Sequence, residues 1–484
     1  MKARGTPAQA AGVGDRHEHA PPRQFNGRVS AYIPGGPDGT SRRWPGRDRE
    51  WTGPRRTGRG HRFTRRNVMT YQFPVDPENL FEERAAQFVN LGLPADEVAR
   101  LRAAINDMWA DAPGGWTWEW SRLAERYAAA GEHYLASLAY GGARFPCLAD
   151  PAKAAAMNHQ VEQYTLAAPG FPVGFERRTV TARYHEAVVE VPVHVLSPAD
   201  AGAGTPVLIA SGGIDTWKMD LHPMWEALAL GAKVRIVAFE HAGVGELTHI
   251  PMTPDTQEII GGLLDFARTL TTGKVGHFGL SFGGYFSART GLRGDADAAV
   301  VLGGPVTRAT FGPGHAKHLL FGMSDILGNA VGFTTRPDMD ALITAVGPFA
   351  LDELLTTQDN CPMLVINGDM DVHVPIADTT VFNRRPNTQV ELIPGGSHCA
   401  LNKLDQIMPM MINWIANCLR PRSRGGRDRA GCPVSPHRGN RGAPADANPT
   451  DRQTPERGHI TASVSSGPAV MRSVRTRTGS SWSR

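Results

Sequence analysis

The chain of 484 residues is long enough for two or three domains, and 51 Lys+Arg against 47 Asp+Glu leave a net charge of only +4. The balance is uneven: residues 1–68 carry +10 and residues 420–484 carry +9, which leaves −15 for residues 69–419. An acidic body is a poor electrostatic platform for nucleic acid, no early apolar run has the form of a signal peptide, and no charge-free stretch of about 18 apolar residues offers a membrane span.

A soluble, cytoplasmic protein is therefore expected. The two tails, 1–68 and 420–484, lack apolar periodicity and are read as disordered, because they bury too little surface to offset the cost of ordering. Pairs such as Arg42-Arg43 and Arg55-Arg56 suit nucleic acid or an anionic surface, but a solvated tail is the reading adopted. Met69 is a natural start just before the first structured segment. The five cysteines, Cys147, Cys361, Cys399, Cys418 and Cys432, show no zinc spacing and are expected as reduced thiols. No metal-ligand cluster and no dinucleotide fingerprint occurs, so no cofactor is expected.

A helical lid domain is expected over 69–174. Phe81, Ala85, Phe88 and Val89 recur at helical spacing, as do Val98, Leu101, Ala104, Ile105 and Met108. Pro113-Gly114-Gly115 interrupts the pattern. Trp116, Trp118 and Trp120 then open a run through Leu123, Tyr127, Ala130, Tyr134 and Leu138. A last helix carries Ala155, Val161 and Tyr164. The tryptophans are read first as core of a small helical unit, and second as lining for a substrate entrance.

From Phe175 the period becomes two. Arg177–Tyr184 and Ala187–Leu196 read as an antiparallel pair. Short apolar runs follow at Pro206–Ala210, Val234–Phe239, Val275–Gly279, Ala298–Leu302, Pro362–Ile366 and Gln389–Ile393. Continuous apolar strands separated by helix-length segments imply an α/β domain, over 175–419, with a mostly parallel sheet covered on both faces. The long insertion 305–360 is expected to lie over the end of the sheet.

The chemistry starts at Gly279-Leu280-Ser281-Phe282-Gly283, a G-x-S-x-G pattern where an apolar run turns into a helix. Such a turn exposes the serine hydroxyl, and a serine nucleophile needs a base and an orienting acid. Downstream, Asn367-Gly368-Asp369-Met370-Asp371-Val372-His373-Val374-Pro375 follows a strand and offers Asp369 or Asp371. Asp371, with Gly368, Val374 and Pro375, matches the G-x-x-D-x-x-V-P pattern of the hydrolase family that these motifs resemble, and Asp369 is expected to shape the turn. Pro394-Gly395-Gly396-Ser397-His398 follows the last strand, so His398 is the expected base and His373 its rival. The oxyanion hole is expected from the N–H of Phe282 and from Gly213 or Ile214 in the Gly-rich loop Ser211–Asp215. Glu240–Gly245 is read as structural.

Together these motifs, with Ala143-Arg144-Phe145-Pro146 in the helical block, resemble the FrsA-like α/β-hydrolases over residues 75–419. The resemblance implies the α/β-hydrolase fold and a Ser-Asp-His triad. It also implies either ester hydrolysis or cleavage of a carbon–carbon bond in an acyl-ketone or polyketide-like compound. The expected partner is a small to medium hydrophobic substrate, with no membrane and no nucleic acid; a homodimer is compatible with the sequence. Carbon–carbon cleavage calls for an extra acid, for which His315, His318, Asp325 and Glu240 are candidates. Two readings from other classes are a ligand-binding hydrolase fold without catalysis, and nucleic-acid binding confined to the tails.

Overall fold

The computed structural model describes residues 70–357 and 359–420; most of both basic tails, with Cys432, lies outside these. Five helices come first: α1 (Pro77–Asn90), α2 (Ala95–Ala104), α3 (Trp116–Ala129), α4 (His133–Ala143) and α5 (Pro151–Ala167). Asp76 caps α1 by accepting from Glu78 N, and Asp150 caps α5 by accepting from Lys153 N, each just before a proline at the first helical position. Two boundaries differ from the periodicity. Helix α2 stops at Ala104 because Asp107 Oδ1 accepts from the N–H groups of Trp109 and Ala110, which favours a turn. The long run after Trp116 splits into α3 and α4 at Gly131, whose φ of 77° no helix continues through.

These helices enclose their own core. Trp116 and Trp120 are fully buried there, against Phe81, Phe88 and Phe145. Trp118 is 37% exposed on the outer surface. The tryptophans are thus packing and surface groups, and the idea that they line a substrate entrance is set aside.

An eight-stranded sheet follows, in the order β1-β2-β4-β3-β5-β6-β7-β8. Its strands are β1 (Gly174–Tyr184), β2 (Ala187–Ser197), β3 (Val207–Ser211), β4 (Arg235–Phe239), β5 (Val275–Leu280), β6 (Ala298–Leu302), β7 (Met363–Gly368) and β8 (Thr388–Ile393). Strands β1, β2 and β4 pair antiparallel, and β4 through β8 pair parallel along the rest of the sheet. All eight expected strands are present. In β3, Val207 and Ile209 join one core while Leu208 and Ala210 join the other. The first face is covered by α7 (Thr256–Thr269) and α8 (Phe282–Arg293), the second by α6 (His222–Ala232) and α14 (Leu404–Leu419). Burial on both faces is the reason these strands read as continuous apolar runs.

Between β6 and β7 lie four short helices: α9 (Pro313–Ala316), α10 (Met323–Ala330), α11 (Met339–Val346) and α12 (Asp352–Thr356). Asp378, on α13 (Ile376–Thr380), fastens the start of this insertion by accepting from the N–H groups of Val306 and Thr307. Cys147, Cys361 and Cys399 are free thiols, but Cys418 is disulfide-bonded, which corrects the expectation for that residue. Among the described residues no helix is long and apolar enough to cross a membrane.

His241, after β4, and His277, within β5, are buried behind α8, and burial pushes each imidazole down to about 3. The unfolded chain binds these protons near pH 6.5 and the folded chain does not, so stability is retained above that pH and falls as pH drops toward 3. Urea midpoints should therefore decline between pH 6.5 and 4, and His241→Gln and His277→Gln should each flatten the decline. Slopes identical to wild type in both variants would remove these histidines as the cause.

Candidate active site

Parallel register brings the loops after β3, β5, β7 and β8 to one edge of the sheet. Ser211 is level with Gly279, Leu280 with Leu302, and Gly368 with Ile393. Ser281 follows β5 at φ 56° and ψ −123°, a conformation that is strained for any residue with a side chain. Its surroundings impose it. A Cβ at Gly279 would stand 1.9 Å from Gly283 O, and one at Gly283 would stand 2.4 Å from Gly212 O. Both flanking glycines are therefore steric requirements. Ser281 N donates to Leu302 O at 2.8 Å and ties the turn to β6.

Ser281 Oγ lies 2.9 Å from Nε2 of His398. The other ring nitrogen, Nδ1, lies 2.7 Å from Asp371 Oδ2. Asp371 is fixed in turn. Its Oδ2 accepts from Asn367 Nδ2 at 2.8 Å, and its Oδ1 accepts from the backbone N–H groups of His373 at 2.7 Å and Val374 at 3.1 Å. Burial alone would raise this carboxyl, but His398 and these donors outweigh it and hold the group at about 2. Asp369 faces elsewhere and accepts from Gly395 N at 2.7 Å. For His398, burial opposes the charged form, whereas Cys399 and Asp371 favour it, and the pKa stands well above the ordinary imidazole value. Cys399 donates its thiol proton to Leu302 O at 3.3 Å, so the carboxylate of Asp371 is the lasting charge.

Gly213 abuts the serine: a Cβ there would stand 2.9 Å from Ser281 Cβ and 3.0 Å from Oγ. Its own N–H is already donated to Thr216 O at 3.0 Å. Of the two candidates in this loop, Ile214 is the one whose N–H has no acceptor among the described residues. Phe282 opens α8 directly after Ser281, where backbone N–H groups have no intrahelical partner. Its ring packs on Phe349 and Phe311 of the insertion, at centroid distances of 5.3 and 6.2 Å.

Of the extra acids considered, Glu240 is buried against Lys218, and Asp325 pairs with Arg336 at 2.8 Å. His315 Nε2 donates to the carbonyl of His373 at 2.8 Å, and His318 is exposed. Sequence reasoning missed another group. Glu83, on α1, meets His373 Nε2 at 2.5 Å, and the His373 ring lies 5.2 Å from that of His398. Nothing in the spacing of α1 marks Glu83 as different from the solvated acids around it.

A serine held on a strained strand-to-helix turn, bonded to histidine and through it to aspartate, at the C-terminal edge of this sheet, belongs to an α/β-hydrolase enzyme. The pattern of the family described as "Esterase FrsA-like" matches residues 105–420, and the chain belongs to that family. An alpha/beta hydrolase, ucsC of Acremonium sp, is 28% identical over 160 residues, a match spanning about 30% of each chain. Solved structures that share the fold include two hydrolase-fold neighbours. A 2,6-dihydroxy-pseudo-oxynicotine hydrolase has a TM-score of 0.59 at 19% identity, covering 69% of this chain and 95% of its own. AbyA5 has a TM-score of 0.57 at 23% identity, covering 70% and 98%. Membership of an esterase family sets aside the ligand-binding fold without catalysis.

Asp371→Asn should lower kcat/KM by roughly three to four orders of magnitude, whereas Asp369→Asn, which changes one turn acceptor, should keep most of it. Equal losses would contradict the geometry. With His398 proposed as the base, its raised pKa should place the acid limb of kcat/KM above the ordinary imidazole value of 6.5, because the base must be neutral to take a proton. A limb midpoint at or below 6.5 in the wild type would contradict that assignment.

Proposed function

We propose that the protein is a serine hydrolase acting on a small to medium hydrophobic acyl substrate, with Ser281 as nucleophile, His398 as general base and Asp371 as its orienting acid. The observation carrying this reading is the continuous Ser281–His398–Asp371 contact, at 2.9 and 2.7 Å, on a strained turn. His398 takes the hydroxyl proton as Ser281 attacks the carbonyl, and the N–H groups of Phe282 and Ile214 receive the developing oxyanion. The leaving group departs with the proton from His398. Water, activated by the same histidine, then releases the acid.

In this reading the helices of 69–174 and the insertion 305–360 form one cover over the catalytic part, 175–419. The insertion packs Phe311 and Phe349 on Phe282, all three buried, and so is joined to the residue that follows Ser281. Ester hydrolysis is the simpler chemistry, since an alcohol leaves with one proton. A second reading, hydrolysis of an acyl-ketone at a carbon–carbon bond, is favoured by the Glu83–His373 pair beside His398. A departing carbanion must be protonated at carbon, and this pair is a proton source separate from the base. The enzyme acts in the cytoplasm in this proposal, without a bound cofactor.

The test is direct. Ser281→Ala should lower turnover by about four orders of magnitude or more while the protein remains folded. A fluorophosphonate should label Ser281 in the wild type and fail on the variant; labelling at another serine would overturn the assignment. Paired panels of aryl esters and acyl-ketones separate the two chemistries, and Glu83→Gln should depress turnover of acyl-ketones more than of esters.

A further inference from the structure

Helix α4 ends in Gly141-Gly142-Ala143, followed by Arg144, which is 1% exposed. A buried guanidinium needs several fixed acceptors to offset its lost hydration. Here they come from the loop after β3 and from α5. Arg144 Nη1 donates to Asp215 O at 3.0 Å, Nη2 pairs with the Asp220 carboxylate, and Nε donates to Gln160 Oε1 at 2.9 Å. Gln160 closes the ring by donating to Asp220 Oδ1 at 2.7 Å. The guanidinium carbon also stands 3.5 Å from the ring centroid of Trp217. A Cβ at Gly141 would stand 2.7 Å from both Asp220 Oδ1 and Gln160 Nε2, so the glycine makes room for this ring.

The consequence lies in which backbone groups of the loop are spent. Ile214 O accepts from Trp217 Nε1 at 3.2 Å, Asp215 O accepts from Arg144, and Thr216 O accepts from Gly213 N at 3.0 Å. Trp217 is held by Arg144 on its face and by Asp220 Oδ2 on its N–H at 2.7 Å. Three successive carbonyls are thus locked, two of them through one arginine, while the N–H of Ile214 is left over. Two residues of α1 add to the hold. Arg84 pairs with Asp215 at 2.9 Å, and Gln87 Nε2 donates to Thr216 Oγ1 at 2.8 Å.

We infer that Arg144 is a positioning residue: the helices before the sheet fix the oxyanion loop from outside the hydrolase core, through its planar fork. This rests on the reading of Ser281 as nucleophile. A lysine has one charged nitrogen and cannot reach Asp215 O, Asp220 and Gln160 together while stacking on Trp217. The fork acts on transition-state charge through the loop, so its loss should appear in kcat and leave KM nearly unchanged.

The experiment compares the full-length wild type with Arg144→Lys and Asp220→Asn, reading thermal unfolding, kcat and KM for a short-chain aryl ester, and the rate of fluorophosphonate labelling. In folded protein, kcat and the labelling rate should each fall about 10- to 100-fold, less than the full loss of an oxyanion donor, with KM within about twofold. If Arg144→Lys does not fold, Asp220→Asn decides, since it keeps the side-chain shape and removes the charge. Wild-type kcat per folded molecule in a variant that folds overturns the inference. So does failure of both to fold, which assigns the ring to stability alone. A wild type that is not labelled at Ser281 overturns the nucleophile instead, so the two failures are distinct.

Discussion

A single steric constraint organises the site. Ser281 occupies a backbone conformation that costs about 1–3 kcal/mol, and it persists only because the neighbouring chain leaves no alternative. Gly279 and Gly283 let the strand, the turn and the helix pass closer than any side chain allows, and Gly213 brings the β3 loop against the serine itself. The central strand β5 is paired on both sides, with β3 and β6, so the turn cannot relax by shifting register. The strain is stored where the hydroxyl must project, and the sheet holds it.

Around that turn, buried charge is arranged in closed sets. Asp371 is satisfied by His398, Asn367 and two backbone N–H groups, Arg144 by Asp220, Gln160 and a carbonyl, and Lys218 by Glu240 and Glu246. Desolvation makes such sets weak sources of net stability, because the attraction is largely offset by the lost hydration. Their yield is geometric. Each set ends on a loop at the same edge of the sheet: the acid loop, the β3 loop, and the turn after β4. Apolar packing of equal volume would hold the fold but would not fix the direction of an imidazole or of an N–H.

The parts written in local chemistry were legible in the sequence. Periods of two and 3.6 and Gly-rich turns depend on near neighbours in the chain. Ser281 and His398 are 117 positions apart and were linked only through the serine, acid, histidine order of matching motifs, and the structure brings them and Asp371 within hydrogen-bond reach. The preference for Asp371 over Asp369 came from a match to a family pattern, and the structure sets Asp371 against His398. What was illegible depends on distant pairs. Glu83 meets His373 across 290 positions, and Arg144 meets Asp220 across 76. Before folding, each looks like one more surface charge. The tryptophans left two readings for a related reason: Trp116 and Trp120 are two aromatic groups four residues apart on one helix face, and composition alone does not say whether that face meets a ligand or another helix; their burial bears out the first reading, a helical core. Ala143–Pro146 was marked only as a family resemblance; its arginine gains a physical reason once Trp217 and Asp215 lie beneath it.

The helices before the sheet therefore face two ways. One side buries an aromatic core built on Phe81, Phe88, Trp116 and Trp120, with Phe321 of the insertion packed against it. The other side presents Glu83, Arg84, Gln87, Arg144 and Gln160, whose partners lie largely in loops that flank Ser281. A block that merely covered a pocket would meet the hydrolase part through apolar surface and could be lifted with little effect on the loops beneath. This one completes their hydrogen bonds. Its removal would strand the carboxylates of Asp215 and Asp220 without their arginines, leave the Asp215 carbonyl without its donor and take the guanidinium from the face of Trp217. The loop beside Ser281 thus has its shape set by both parts together.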